Sequence, residues 1–554
     1  MDGWESCNSP DDRSCWLKDS KARQPYFSQY DIHTDYETIW PKGVTREYWI
    51  NLKDQIIFPD GYSKPYGKII NDTYPGPLIE ACWGDEVVVH VTNYLQTNGS
   101  TNEMDGVNGV TQCPIAYGDT FTYRFRVTQY GTTWYHSHYS LQYPDGVAGP
   151  LVFHGPTSAD WDEEWETPLM MTDWVHDSAF GIFPTKELRG VIPNGDSILL
   201  NGHGHFNCSL DPLNDPSRCA PGHGSYYNRT FQKGKKYLIR LINTSVGAAF
   251  IFSIDGHKMK VISTDFVPIE PYETNAVLLN IGQRYNIIIE ANADPGDYWI
   301  RTEIPRGPGG CGNVTDRNGD VTGILRYDAS STALPTSSKN EYESDCHDEP
   351  KELLVPILPW MVDPHPQNDV HNNTYEAGIT EVQYHNAFRW DLTDTPMWLD
   401  FSNPTILNLE NTTWNPEYAV IDYNYDRGFV YLVITGNLDR LGGGKTEVPA
   451  GHPIHLHGHD FAILAQENRT YDELVDPVTT FNLTNPPRRD VVFLPSNGFV
   501  ALAFKPDNPG IWLILERQPD ILDSIGTLEA TNRTCDGWDA YVKAHPIDQD
   551  DSGV

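Results

Sequence analysis

The chain has 554 residues, with 39 Lys+Arg against 76 Asp+Glu and a formal net charge of −37. That charge repels nucleic acid and anionic membrane surfaces, which excludes both as partners, and no apolar run approaches the ~18 residues of a membrane span. The length accommodates three or four domains, each with a core of ordinary size.

Taken in order, the sequence reads as almost all strand. Residues 1–30 form a polar arm in which Cys7 and Cys15 are spaced to pair. A first domain over 31–158 follows, where Val87, Val89 and Val91 alternate with Val88 and His90, and Phe121, Tyr123 and Phe125 alternate with Thr122 and Arg124. Both are period-two patterns of half-buried strands. In Trp134-Tyr135-His136-Ser137-His138 the same alternation puts Trp134, His136 and His138 on one face. A second domain over 159–330 has strands expected at 237–242, 277–281 and 285–290. Its Asn201-Gly202-His203-Gly204-His205 imitates a His-x-His pair but reads as a solvated loop. Residues 331–351, rich in Ser, Thr and acidic groups, suit a linker. The third domain spans 352–541 and a polar tail 542–554.

The third domain holds the densest signal, Gly451-His452-Pro453-Ile454-His455-Leu456-His457-Gly458-His459-Asp460. Four histidines lie within eight residues, and in an extended strand His455, His457 and His459 share a face. Imidazoles at a spacing of two point to a metal site, with copper or zinc as the ions that suit them. Two His-x-His elements about 320 residues apart suggest one site assembled between two domains.

Eleven Asn-x-Ser/Thr sequons, at Asn71, Asn98, Asn207, Asn228, Asn243, Asn313, Asn372, Asn411, Asn468, Asn482 and Asn532, predict an N-glycosylated, secreted chain. Nine cysteines fit the same oxidising compartment. Spacing proposes Cys208 with Cys219 and Cys311 with Cys346. No charged start followed by an apolar stretch opens the sequence, so the expectation is that the signal peptide lies outside this numbering.

HPIHLHGHDF at 452–461, with GTTWYHSHYSLQYPDGVAGP at 131–150 and PPRRDV at 486–491, resembles the laccase type of three-domain multicopper oxidase, ascomycete branch, over nearly the whole chain. The resemblance implies three cupredoxin-like Greek-key domains, a monomer, and one-electron oxidation of phenolic or aromatic substrates coupled to reduction of O2 to water. It adds a Cys113–Cys535 bridge, which leaves Cys82 as a buried core thiol. It matches His452 to a ligand of the electron-accepting copper, His455 to a ligand of the single copper in the trinuclear cluster, and His136, His138 and His457 to ligands of its coupled pair. Asp265 matches an acid at the mouth of the substrate pocket that takes the phenolic proton, and Asp105 an acid that delivers protons to the cluster. The closing Asp551-Ser552-Gly553-Val554 resembles a plug in the solvent channel.

Laccases of this kind use four short motifs with ten histidines and one cysteine, and this chain keeps two of them. His-Trp-His-Gly belongs after Ser100, and His-Cys-His-x-x-x-His belongs between Ile514 and Leu515. About ten and about fifteen residues are missing there, the dimensions of a strand and turn and of two strands. Five of the ten histidines remain, without the cysteine of the trigonal His2Cys copper. Three readings stay open: a laccase that has lost two in-frame segments through a gene-model or splice event; a copper-poor relative acting as a binding, cyclisation-guiding or auxiliary protein in aromatic secondary metabolism; and a mononuclear metal enzyme using the remaining histidines. Physics favours the first, because deleting a strand uncovers apolar faces and leaves backbone groups unpaired, and a copper-free role gives no reason to keep His452, His455 and His457.

Overall fold

The computed structural model describes residues 3–20, 28–95, 107–186, 191, 193–211, 215, 217–219, 222, 224–306, 310–382, 387–392, 396–408, 413–418, 420–422, 428–436, 451–472, 475–508, 511–512, 516–517 and 528–545. The class is all-β, as the alternation predicted. In the arm, Trp4–Ser6, Cys15–Asp19 and Gln29–Asp31 make a small antiparallel sheet closed by Cys7–Cys15.

The first large sheet runs Lys64–Ile70, Thr45–Ile57, Glu86–Tyr94, Thr120–Arg126. Val87, Val89 and Val91 point together into a core with Phe121, Tyr123 and Trp83, each contributing about 1.5–3 kcal/mol on burial. A smaller sheet of Ile79–Cys82, Ala148–His154 and Gly131–His136 closes that core through Ile79, Ala81 and Phe153. The middle of the chain builds two further sheets around one apolar core, which takes Leu241 and Ile287 from one and Phe250 and Ile300 from the other. The strands expected there appear as Lys236–Asn243, Val277–Leu279 and Arg284–Glu290.

In the last part, Val430–Thr435 pairs along its whole length with Phe499–Phe504, which pairs in turn with Phe461–Glu467. His452–His455 stands apart in a two-stranded ladder with Val491–Leu494, pairing His455 with Val491. Beside these, Ile421–Asp422, Glu516–Arg517 and Ile511–Trp512 pair in a three-stranded sheet.

Residues 331–351 are held along the middle unit as a strap. Ser337 Oγ donates to Asp255 and accepts from Trp299 N. Asn340 Nδ2 donates to the carbonyls of Ile254 and His257, and Cys346 is bridged to Cys311. Hydrogen bonds every few residues and a covalent bridge hold this segment in place.

The sequence also gave no warning of the helix Glu529–Ala544, which buries Thr531, Cys535 and Trp538. These positions are four and three apart, the spacing of a helical stripe. All four expected bridges are present, including Cys113–Cys535. Cys82 is half-buried at the end of its strand rather than in the core, and burial pushes its thiol pKa up. No helix among the described residues is long and apolar enough to cross a membrane.

One sequon is closed by the fold. Asn243 is fully buried, and its amide donates to the carbonyls of Ala248 and Leu279. A glycan there would displace both bonds and open the core. Glycopeptide mapping of the chain expressed in a glycosylating host is therefore expected to find Asn243 unmodified; occupancy there would mean that this turn folds differently.

Candidate metal centre

Two backbone elements deliver the histidines. Gly131–His136 is paired with Ala148–His154 along its whole length, which fixes the direction of its side chains. Trp134 stacks on His136 with ring centroids 4.0 Å apart and 23° between planes. Tyr143 sits edge-on to His136 at 5.3 Å. His138 follows the strand end, its carbonyl accepting from Asn108 Nδ2 at 3.3 Å.

On the other side, the ladder ends at His455, and Gly458 adopts φ +71, a left-handed turn that glycine accepts without strain. Alternation therefore stops one residue before His457. Because of this turn, His459 leaves the face predicted for it and packs against Phe504 at 5.3 Å and Trp512 at 5.8 Å.

The four other rings meet across the two units. His136 lies 4.7 Å from His138, His138 4.9 Å from His457, and His457 4.7 Å from His455, between centroids. Burial lowers the pKa of His136 to about 3 and that of His455 to about 4, and holds His138 well below the ordinary range. His136, His138 and His455 are therefore neutral near pH 7, the form that a metal requires. His455 still has 45% of its side chain accessible, so we read it as facing a recess within the chain: the accessibility reports local space, and the depressed pKa reports the protein around it. Among the described residues, no group of three His, Cys, Asp or Glu has the geometry to hold a single metal ion. The four rings form a row of neighbours.

A buried ion network, absent from the sequence reading, joins this row to the middle unit. Arg284 grips both carboxylate oxygens of Asp490 and sends Nε to the carbonyl of Thr132 at 2.9 Å. The backbone carbonyl of Asp490 accepts from His455 Nδ1 at 2.7 Å. Since a carbonyl only accepts, this bond places the His455 proton on Nδ1 and leaves the unprotonated Nε2 with a lone pair that can ligate a metal. Burial works to raise the Asp490 carboxyl, but Arg284 outweighs it and holds the pKa below the usual range.

The predicted acids fare differently. Asp265 is not at a pocket mouth. Its side chain is fully buried; Oδ1 accepts from Arg284 N at 2.9 Å, and Oδ2 from the backbone N of Asp490 and Val491 at 3.1 and 3.2 Å. With Arg284 and Arg489 also beside it at 3.4 Å, every lone pair is engaged. It anchors the PPRRDV segment and has no face for a phenol. Asp105, the junctions at 100–101 and 514–515, and the 551–554 tail lie outside the described residues. His452 begins the ladder opposite Leu494, and burial lowers its pKa to about 4. Three residues separate it from His455, roughly 10 Å at strand rise. His203 and His205 do form a loop, with His203 Nδ1 bonded to Ser225 Oγ and His205 against Tyr226.

Family models described as "Multicopper oxidase" match residues 51–158, 166–330 and 381–514. Laccase-2 of Botryotinia fuckeliana is 40% identical over 583 aligned positions, covering 99% of this chain and 94% of that one. Dihydrogeodin oxidase of Aspergillus terreus is 37% identical, covering 99% and 95%. The crystal structure of a laccase from Botrytis aclada superposes with a TM-score of 0.87 at 39% identity, covering 99% and 100%.

Proposed function

The chain belongs to the multicopper oxidase family, in its laccase-like branch, and on that premise we propose that its scaffold serves one-electron oxidation of small phenolic or aromatic substrates with O2, while the chain as it stands carries five of the eleven copper ligands that the resemblance implies and does not turn over. The observation that carries this reading is the row His136–His138–His457–His455. These are clustered imidazole donors of the type copper takes, and four rings spaced 4.7–4.9 Å from neighbour to neighbour fit part of a multi-ion donor set better than a closed site for one ion. His452 stands apart, as a ligand of a separate electron-accepting site would.

These residues hold the metal side of the site by orientation and exclusion. The Asp490 carbonyl orients His455, and Trp134 covers one face of His136. Bound copper would supply the redox steps and the reduction of O2. Asp105 remains assigned to proton delivery on the strength of its motif. The name of the Aspergillus terreus relative, a dihydrogeodin oxidase, supports a small-molecule substrate from secondary metabolism. Four disulfides, together with sequons outside the core, support a secreted, glycosylated monomer.

One observation supports the missing segments. The alignment to Laccase-2 spans 583 positions against 554 residues here, so at least 29 positions of that alignment have no counterpart in this chain.

Reconstitution with copper tests the reading. Bound copper is expected without the intense blue absorption that a thiolate ligand gives, and oxygen uptake with a simple methoxyphenol should remain at background. A strong blue band would mean that a thiolate ligand has been overlooked. No retained copper would remove the metal site.

A further inference from the structure

The middle unit supplies none of the clustered histidines, yet Arg284 from its strand Arg284–Glu290 is bonded to both elements that do. Its Nε donates to the carbonyl of Thr132 at 2.9 Å. Thr132 lies on the same strand and the same face as Trp134 and His136, two and four residues on. Its other end grips Asp490 through both terminal nitrogens, NH2 to Oδ2 at 2.6 Å. Asp490 immediately precedes Val491, the partner of His455 in the ladder, and its carbonyl takes the His455 Nδ1 proton. The site is fully enclosed: Arg284 and Thr132 are 2% and 0% exposed. Thr132 Oγ1 is fixed in turn by Asn286 and Arg240, both from the same middle sheet. Phe266 lies beneath the guanidinium at 5.1 Å.

We propose that Arg284 is a positioning residue for the copper site: one guanidinium fork sets the distance between the His136–His138 and His455–His457 pairs and holds Asp490 so that His455 presents Nε2. This rests on the reading that these four imidazoles bind copper. Arginine suits the task because its planar fork fixes the separation and angle of the groups it joins, whereas a lysine ammonium at the same place keeps the charge and loses the geometry. The middle unit would thereby act on a site to which it gives no ligand. Partners at this remove from a metal typically change its affinity by 10–100-fold.

The test uses the full oxidised chain and cupric ion, with affinity read by competition against a chelator and amide hydrogen exchange read on the metal-free protein. Arg284→Lys is expected to weaken copper binding about 10–100-fold and to speed exchange both in 131–136 and in 491–494. Asp490→Asn keeps the carbonyl that accepts from His455 but loses the charged fork; it should move both readouts in the same direction by less, and it carries the test if Arg284→Lys fails to fold. Arg301→Lys is the control, because Arg301 makes a similar bidentate pair with Asp255 within the middle unit; copper affinity should stay at the parent value. Parent affinity in both Arg284→Lys and Asp490→Asn overturns the proposal, as does an equal loss in Arg301→Lys or faster exchange in only one of the two strands. If the parent retains no copper while Arg284→Lys still loosens both strands, the copper reading fails and the clamp stands.

Discussion

Inserting a His-Trp-His-Gly segment after Ser100 and a His-Cys-His-x-x-x-His segment after Ile514 is expected to convert the chain from background oxygen uptake to turnover with a methoxyphenol. The gain should be on the order of 10⁶-fold, the low end of enzymatic rate enhancements. The insertions would restore five histidines and the thiolate to a scaffold in which four of the five remaining imidazoles already lie 4.7–4.9 Å from neighbour to neighbour. Stability should rise with activity. The inserted strands would add ladder hydrogen bonds worth about 0.5–1.5 kcal/mol each and cross-strand contacts. Oxygen uptake and bound copper, measured on both chains, decide the matter. Comparable turnover by the uninserted chain would sink the incomplete-site reading. If neither chain turns over, yet the uninserted one melts cooperatively and binds an aromatic metabolite, the copper-poor binding protein is the better account.

The legible parts of this molecule were those where a local pattern has one structural solution. Alternation at Val87–Val91 and Phe121–Phe125 specified half-buried strands, and the two His-x-His elements specified a shared site. Both follow from the period of two that a strand imposes. Where the outcome depended on contacts distant in sequence, the reading went astray. His459 follows the alternation in sequence, but the turn at Gly458 carries it to Phe504 and Trp512. Asp265 lies in a motif suited to a surface acid, yet Arg284, Arg489 and two backbone N–H groups more than two hundred residues downstream bury it. Nothing local shows that Asp255, Glu303 and Ile254 stand ready to bind the polar residues of the strap.

The last helix was missed for a different reason: its apolar stripe is narrow, with Thr531, Cys535 and Trp538 as the buried positions of sixteen residues. Such a stripe is held by tertiary contacts more than by propensity. A cysteine in its middle and a bulky aromatic three residues on were the available signals. Both find their partners in the first unit, near His138, where Cys113, Tyr139, Cys535 and Trp538 pack together.

Removing that link with the double substitution Cys113→Ser and Cys535→Ser is expected to lower stability by about 2–5 kcal/mol. The bridge spans 422 residues, so it withdraws a large share of freedom from the unfolded chain, and both sulfurs lie in apolar surroundings where two serine hydroxyls would be poorly placed. A chain of three units need not melt in one step, so the effect should appear in the transition that includes the first unit, as a midpoint lowered by about 4–15 °C. It should also reach the metal site. Tyr139 follows His138 directly and meets the ring of Trp538 at 6.0 Å, so once helix 529–544 is free to leave, the loop bearing His138 loses its backing. The substituted chain should therefore show faster amide exchange in 529–544 and in 137–142, together with weaker copper retention. An unchanged midpoint with unchanged exchange in the helix would mean that Trp538 and its apolar neighbours hold the chain end without the bridge. A lowered midpoint with intact copper binding would confine the bridge to stability and detach the helix from the site.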